Sequence, residues 1–300
     1  MTSTHETLAM RILMLLLAFS LPLSLSAAER LRVVTSFSIL ADMTHAVGGA
    51  HLQISNLVGA DSDAHTYETT PDDARAVREA SLVIENGLGF EPWLDRLVKS
   101  SETHAKVIQA SHGVIPRSLE EDGQVIPDPH AWNNLANADL YINNIAQALS
   151  AVDPANAANY QRNAAAYLQQ AHALLTTARA TLGSLPADRR SLVTSHDAFG
   201  YLGQAYGLQI LAPQGLSTER EASAADVATL IRQIRTQHIR AVFVENIKDP
   251  RLMRQIAEES GASIGGTLHS DALAASGPAS TYLGLYRDNV ETLYHALSAN

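Results

Sequence analysis

Two runs of alternating strands and helices, parted by one very long helical stretch, restrict the folds open to this sequence. In the first run, apolar β-branched segments at 31–35, 53–58, 81–85 and 106–109 read as strands, with helical patterns at 39–47 and 71–80. The second run has strands at 191–194, 209–212, 241–245 and 262–267, and a helix at 198–206. A further helix at 225–237 gathers Val227, Leu230, Ile231 and Ile234 on one face, and another opens at Asp249 and Pro250 and stops at Gly261. This alternation predicts α/β layers with mostly parallel sheets.

Between the runs, Asp153 and Pro154 make a helix start. Tyr160, Ala164, Tyr167, Leu168, Ala171, Leu174, Leu175, Ala178 and Leu182 then keep helical spacing until Gly183 and Pro186. At 1.5 Å per residue such a helix reaches about 40 Å, the width of a whole domain. The expectation is two α/β lobes, 29–153 and 184–300, joined by a stiff helix over 154–183, with a site in the cleft between them.

Residues 1–28 are set apart from the fold. Arg11 precedes an apolar run from Ile12 to Leu25, which ends in Ser26, Ala27 and Ala28. A positive residue, a short apolar run and small residues make the pattern of a cleaved export signal, too short and interrupted to span a bilayer. The chain has no cysteine. A disulfide framework, thiolate metal sites and a cysteine-linked lipid anchor are therefore not expected, and a free periplasmic monomer fits best. The formal charge of −10 is unchanged by removal of 1–28, which carries one base and one acid. That balance argues against a nucleic-acid partner.

Of the 12 histidines, few stand where an open parallel sheet collects ligands, beyond the carboxyl ends of its strands. His65 lies in the loop after strand 53–58, His196 follows strand 191–194, and Asp271 follows strand 262–267. His130 lies in the loop P-D-P-H before a helix. Taken singly, each histidine fits a surface or packed residue better than a ligand; their joint placement puts the two readings level. Three imidazoles and a carboxylate suit four-coordinate Zn²⁺, and Mn²⁺ if the carboxylate chelates with both oxygens. Such a closed shell carries metal and leaves no position for activating water.

The stretches HTYETTP (65–71), DPHAW (128–132), TSHDAFGYL (194–202) and GGTLHSDAL (265–273) resemble the four ligand motifs of the zinc/manganese ABC-transporter solute-binding proteins, cluster 9 or A-I. NGLGFEPWLD (86–95), PQGLSTE (213–219), FVENIKDPRL (243–252) and TYLGLYRDNVETL (281–293) extend the likeness over nearly all of the chain beyond 1–28. The resemblance implies two lobes on a long backbone helix, with metal held by His65, His130, His196 and Asp271 and passed to a membrane permease driven by an ATPase. Histidine at 196, where manganese members tend to carry glutamate, leans towards zinc. Glu68, Asp128 and Glu245 are the acids expected to orient the ligating imidazoles. His269, two residues before Asp271, is expected to point away. Many zinc-uptake members carry a long His-rich loop before the second motif; here 119–127 is short, acidic and free of histidine.

Two other classes compete. A secreted zinc-dependent hydrolase would need an open coordination position and a base such as Glu68 or Glu245. A periplasmic metallochaperone would differ only in its recipient. Gly261-Ala262-Ser263-Ile264-Gly265 matches a nucleophile pattern, but a helix ends and a strand begins there, the reverse of what that motif requires.

Overall fold

The computed structural model describes residues 30–121 and 124–299. The export signal expected over 1–28 lies outside the described residues. Strands β1 (Leu31–Phe37), β2 (Leu52–Val58), β3 (Leu82–Glu85) and β4 (Lys106–Gln109) form one parallel sheet in the order β2-β1-β3-β4. β1 and β3 lie inside it, and their apolar residues are buried on both faces, as the unbroken runs VV and LVI require. Strands β7 (Ser191–Val193), β8 (Gln209–Leu211), β9 (Ala241–Glu245) and β10 (Ser263–Leu268) form a second parallel sheet, ordered β10-β9-β7-β8. β5 (Ser118–Glu121) and β6 (Gln124–Pro127) pair as a small antiparallel hairpin in the short acidic segment.

Helix α1 (Ser38–Gly48) buries Ile39, Leu40, Met43 and Val47 beside the first sheet. Helix α2 (Pro71–Glu79) starts with proline and a reciprocal Thr70–Asp73 capping box. α3 (Pro92–Ser100) and α4 (Ala138–Val152) complete the first half. The long helix α5 (Ala157–Gly183) has 27 residues, and its stripe from Tyr160 to Leu182 is buried. It begins later than the sequence suggests. The Asp153 carboxylate accepts from the Tyr160 hydroxyl (2.6 Å) and the Asn156 amide (2.8 Å), so Pro154–Asn156 forms a 3₁₀ turn ahead of the α-helix. In the second half come α6 (Gly200–Tyr206), α7 (Ala224–Gln237), α8 (Arg251–Ser260) and α9 (Tyr282–Ser298).

Helix α5 packs against α1, α4, α6 and α9. One apolar core runs from the first sheet through these helices to Phe243 and Leu268 of the second sheet. A smaller cluster of Val193, Ile234, Val242 and Ile256 sits where α7 and α8 cover the second sheet. Residues Leu31–Asn300 thus form one compact unit. Among the described residues, no helix is long and apolar enough to cross a membrane.

Candidate metal centre

Both sheets end their strands at the same place. His65 follows β2, His130 follows β6, His196 follows β7, and Asp271 follows β10. Their side chains meet: one donor atom from each of the four lies within 4.8 Å of the other three. The contacts have the size of a coordination polyhedron. The Nε2 atoms of His65 and His130 are 3.3 Å apart. Asp271 Oδ2 lies 3.1 Å from His196 Nε2 and 3.4 Å from His65 Nε2, and Oδ1 lies 3.8 Å from His130 Nε2. Donors about 2.05 Å from a zinc ion define a tetrahedron with edges of about 3.3 Å, so the spacing fits.

Two carboxylates fix the outward nitrogens. Asp128 Oδ1 accepts from the His130 backbone N–H (3.0 Å) and faces its Nδ1 at 2.9 Å. Its other oxygen is paired with Arg117. Glu245 Oε1 accepts from the backbone N–H groups of Ser195 (2.7 Å) and His196 (3.0 Å), while Oε2 lies 2.7 Å from His196 Nδ1, off the hydrogen-bond axis. A carboxylate at Nδ1 favours the proton there and leaves the Nε2 lone pair aimed inward. Asp128 and Glu245 therefore lie against the outward nitrogens of His130 and His196.

Glu68 does not. It is exposed and has no bond to the cluster among the described residues, because the chain after His65 turns outward. There Tyr67 donates to Asp73 (2.9 Å) at the start of α2. His269 also points elsewhere: its ring nitrogen lies 3.4 Å from Asp288, and its backbone is held by Asn289.

Burial would push the His196 imidazolium down, but the Glu245 and Asp271 carboxylates outweigh it and hold its pKa well above the ordinary value. Burial likewise works to raise Asp271, yet His196 and His130, with hydrogen bonds from His196 and His65, hold it well below the usual carboxylate range. At His65 burial prevails and lowers the pKa. The cluster thus presents a firmly ionised carboxylate and imidazoles biased in opposite directions.

Bonds between the two halves converge here. Trp132 Nε1 donates to the Ser270 carbonyl (2.8 Å), next to Asp271, and Asn133 Nδ2 donates to the Ala198 carbonyl (3.0 Å). Tyr201 donates to the Asp128 carbonyl (3.1 Å) and accepts from the Arg117 N–H (3.0 Å). A Cβ on Gly200 would fall 1.5 Å from an Arg117 guanidinium nitrogen, so this glycine gives the arginine room beside Asp128. Sequence reasoning missed Arg117 and also Asp63, whose Oδ1 accepts from the His65 N–H at 3.0 Å. The second had a signal: Asp63-Ala64-His65 repeats the spacing of Asp128-Pro129-His130.

The chain is similar to known metal-transport proteins over most of its length. It is 33% identical over 291 residues to the metal ABC transporter substrate-binding lipoprotein FimA of Streptococcus parasanguinis, covering 94% of each chain. It is 32% identical to the manganese ABC transporter substrate-binding lipoprotein PsaA of Streptococcus pneumoniae, over 92% of this chain and 91% of that one. The structure of the periplasmic zinc-binding protein TroA of Treponema pallidum superimposes with a TM-score of 0.85 at 30% identity, covering 90% of this chain and 99% of that one. The family model described as ZnuA, zinc-uptake complex component A periplasmic, matches residues 33–296. The chain belongs to this family of ABC-transporter substrate-binding proteins for metals.

Proposed function

We propose that this protein captures a divalent transition metal in the periplasm, Zn²⁺ in preference to Mn²⁺, and delivers it to an ABC permease and its ATPase. The ion is the cargo, held by His65, His130, His196 and Asp271. The observation that carries this reading is the close approach of three imidazoles and one carboxylate, all buried, with edges of 3.1 to 3.8 Å between the measured donors. Three nitrogens and one oxygen make a donor set that suits zinc. Manganese retains a specific argument, since both Asp271 oxygens face imidazole nitrogens and could chelate together.

The hydrolase reading loses its bases. Glu68 is exposed and makes no bond to the cluster among the described residues, and Glu245 has Oε1 bonded to the Ser195 and His196 N–H groups and Oε2 turned against His196 Nδ1. In the same proposal, residues 1–28 are removed on export, 29–153 and 184–300 act as the two lobes, and 154–183 as the joining helix. In the same reading the exported protein works as a monomer. Elemental analysis of protein from its native compartment, followed by calorimetric titration of the stripped form with zinc and manganese, tests this. Tight zinc binding at one equivalent is expected; absence of binding for either ion would overturn it.

A further inference from the structure

The four clustered groups differ in their access to solvent. His130, His196 and Asp271 are 0% exposed, whereas His65 keeps 8%. A cavity of about 350 Å³ reaches it, lined by His65, Phe90 and Pro129 of one half and by Leu216, Ser217 and Glu219 of the other. His65 is thus the group an arriving ion meets first and a departing ion leaves last. It also hangs on a long loop, seven residues beyond β2 and six short of α2.

Asp63 anchors that loop in both directions. Its Oδ1 accepts from the His65 backbone N–H, as Asp128 and Glu245 do for their histidines. Its Oδ2 reaches across to the second half, taking the Thr218 hydroxyl at 2.6 Å and lying 3.4 Å from Lys248 Nζ. Lys248 donates in turn to the Thr218 carbonyl at 3.3 Å. Lys248 stands three residues beyond Glu245, which orients His196. Asp61 adds a parallel tie: its N–H donates to the Leu273 carbonyl (2.9 Å), and its carboxylate accepts from Asn246 (2.9 Å) and the Ala275 N–H (3.0 Å).

We infer that Asp63 is a positioning residue that sets how long bound metal is retained, by latching the His65 loop to Thr218 and Lys248. This rests on the metal-capture reading above. For His65 to swing towards the cavity, its loop must move, and that movement breaks the Asp63–Thr218 and Asp63–Lys248 contacts. The latch is largely shielded, with the side chains of Asp63 and Lys248 only 11% and 18% exposed, so water compensates its loss poorly. Retention therefore depends on a contact made by no metal-binding atom.

The test is metal release from the full chain. Zinc-loaded wild type, Thr218→Val, Thr218→Ser and Asp63→Asn are mixed with excess chelator in a stopped-flow instrument, and zinc association is measured separately. Thr218→Val leaves the Asp63–His65 bond and the Asp63–Lys248 pair intact and removes only the Thr218 arm of the cross-link. Release about tenfold faster in Thr218→Val and Asp63→Asn is expected, the scale of one charge-assisted hydrogen bond, with association changed less than about twofold and the Thr218→Ser rate restored to that of wild type. Wild-type release rates in both Thr218→Val and Asp63→Asn would overturn the latch while leaving metal capture standing. A wild type that binds no zinc would instead remove the capture reading on which the latch depends.

Discussion

At His196, two carboxylates decide what a metal ion must compete with. Glu245 and Asp271 hold the imidazolium pKa above its ordinary value despite burial, so a proton leaves this ring at higher pH than it leaves a free imidazole. A raised histidine pKa contributes stability that is fully present below the unfolded value of about 6.5 and is lost as pH rises through the folded value. Zinc requires the same ring without its proton, so its affinity should climb over that interval. Melting of the metal-free protein should fall, and the gain on adding zinc should grow, as pH rises from about 6.5. Glu91 adds to the first trend. Burial pushes its carboxyl up to about 8, so its contribution is also lost as pH rises from the unfolded value towards 8. Comparison with His196→Gln separates the two, and a zinc affinity that does not vary with pH would refute the assignment. Replacement at the other clustered histidines is simpler. His130→Ala should weaken zinc binding by more than the roughly 10- to 100-fold expected for Asp128→Asn, because the first removes a donor and the second only its orientation. Titration calorimetry ranks the two, and equal affinities for His130→Ala and wild type would exclude His130 as a ligand.

At the level of the elements, burial pattern decides what could be read in advance. β1, β3 and β9 are short apolar runs of a buried parallel sheet, and α5 and α7 carry one-sided stripes, so all five stand out in the sequence. α4 is one-sided too, with Ala138, Tyr141, Ile142, Ile145 and Leu149 buried on one face, and the sequence reading places it only as the helix that follows the loop of His130. The β5–β6 hairpin reverses the usual pattern, with Val125 75% exposed. For the site, the four clustered residues sit in recognisable motifs, and Asp128 and Glu245 sit in or beside them. Thr218 was invisible because its partner Asp63 is 155 positions away, a distance no local pattern reports. Glycine at the head of α9 has a nearer cause. A Cβ at Gly284 would lie 2.0 Å from the Pro278 carbonyl oxygen, which is backbone and cannot easily give way. Gly284→Ala should cost about 1–3 kcal/mol. At about 2–4 °C per kcal/mol for a chain of this size, a thermal melt would show the loss directly. An unchanged melting temperature would mean that the helix start has room to shift.

Across the molecule, the shared core limits what binding can move. The core follows α1, α4, α5 and α9 from one sheet to the other, so swinging the halves apart would expose apolar surface along the whole length of α5. The loops at the site carry no such penalty: 59–65, 214–219 and 269–275 meet through hydrogen bonds and ion pairs, which can exchange with water. Metal binding should therefore act locally in structure but globally in stability, since an ion bound only by the folded state shifts the whole folding equilibrium. At free zinc about 100 times the dissociation constant the gain is about 2.7 kcal/mol, or about 5–10 °C in melting temperature. Chelator should reverse it. Hydrogen exchange on the same samples should show zinc slowing the amides of those three loops, while β1, β3 and β9 exchange at the same slow rate with and without metal. Uniform slowing throughout both sheets would instead mean that the halves separate without the ion, and that the core along α5 does not hold them together.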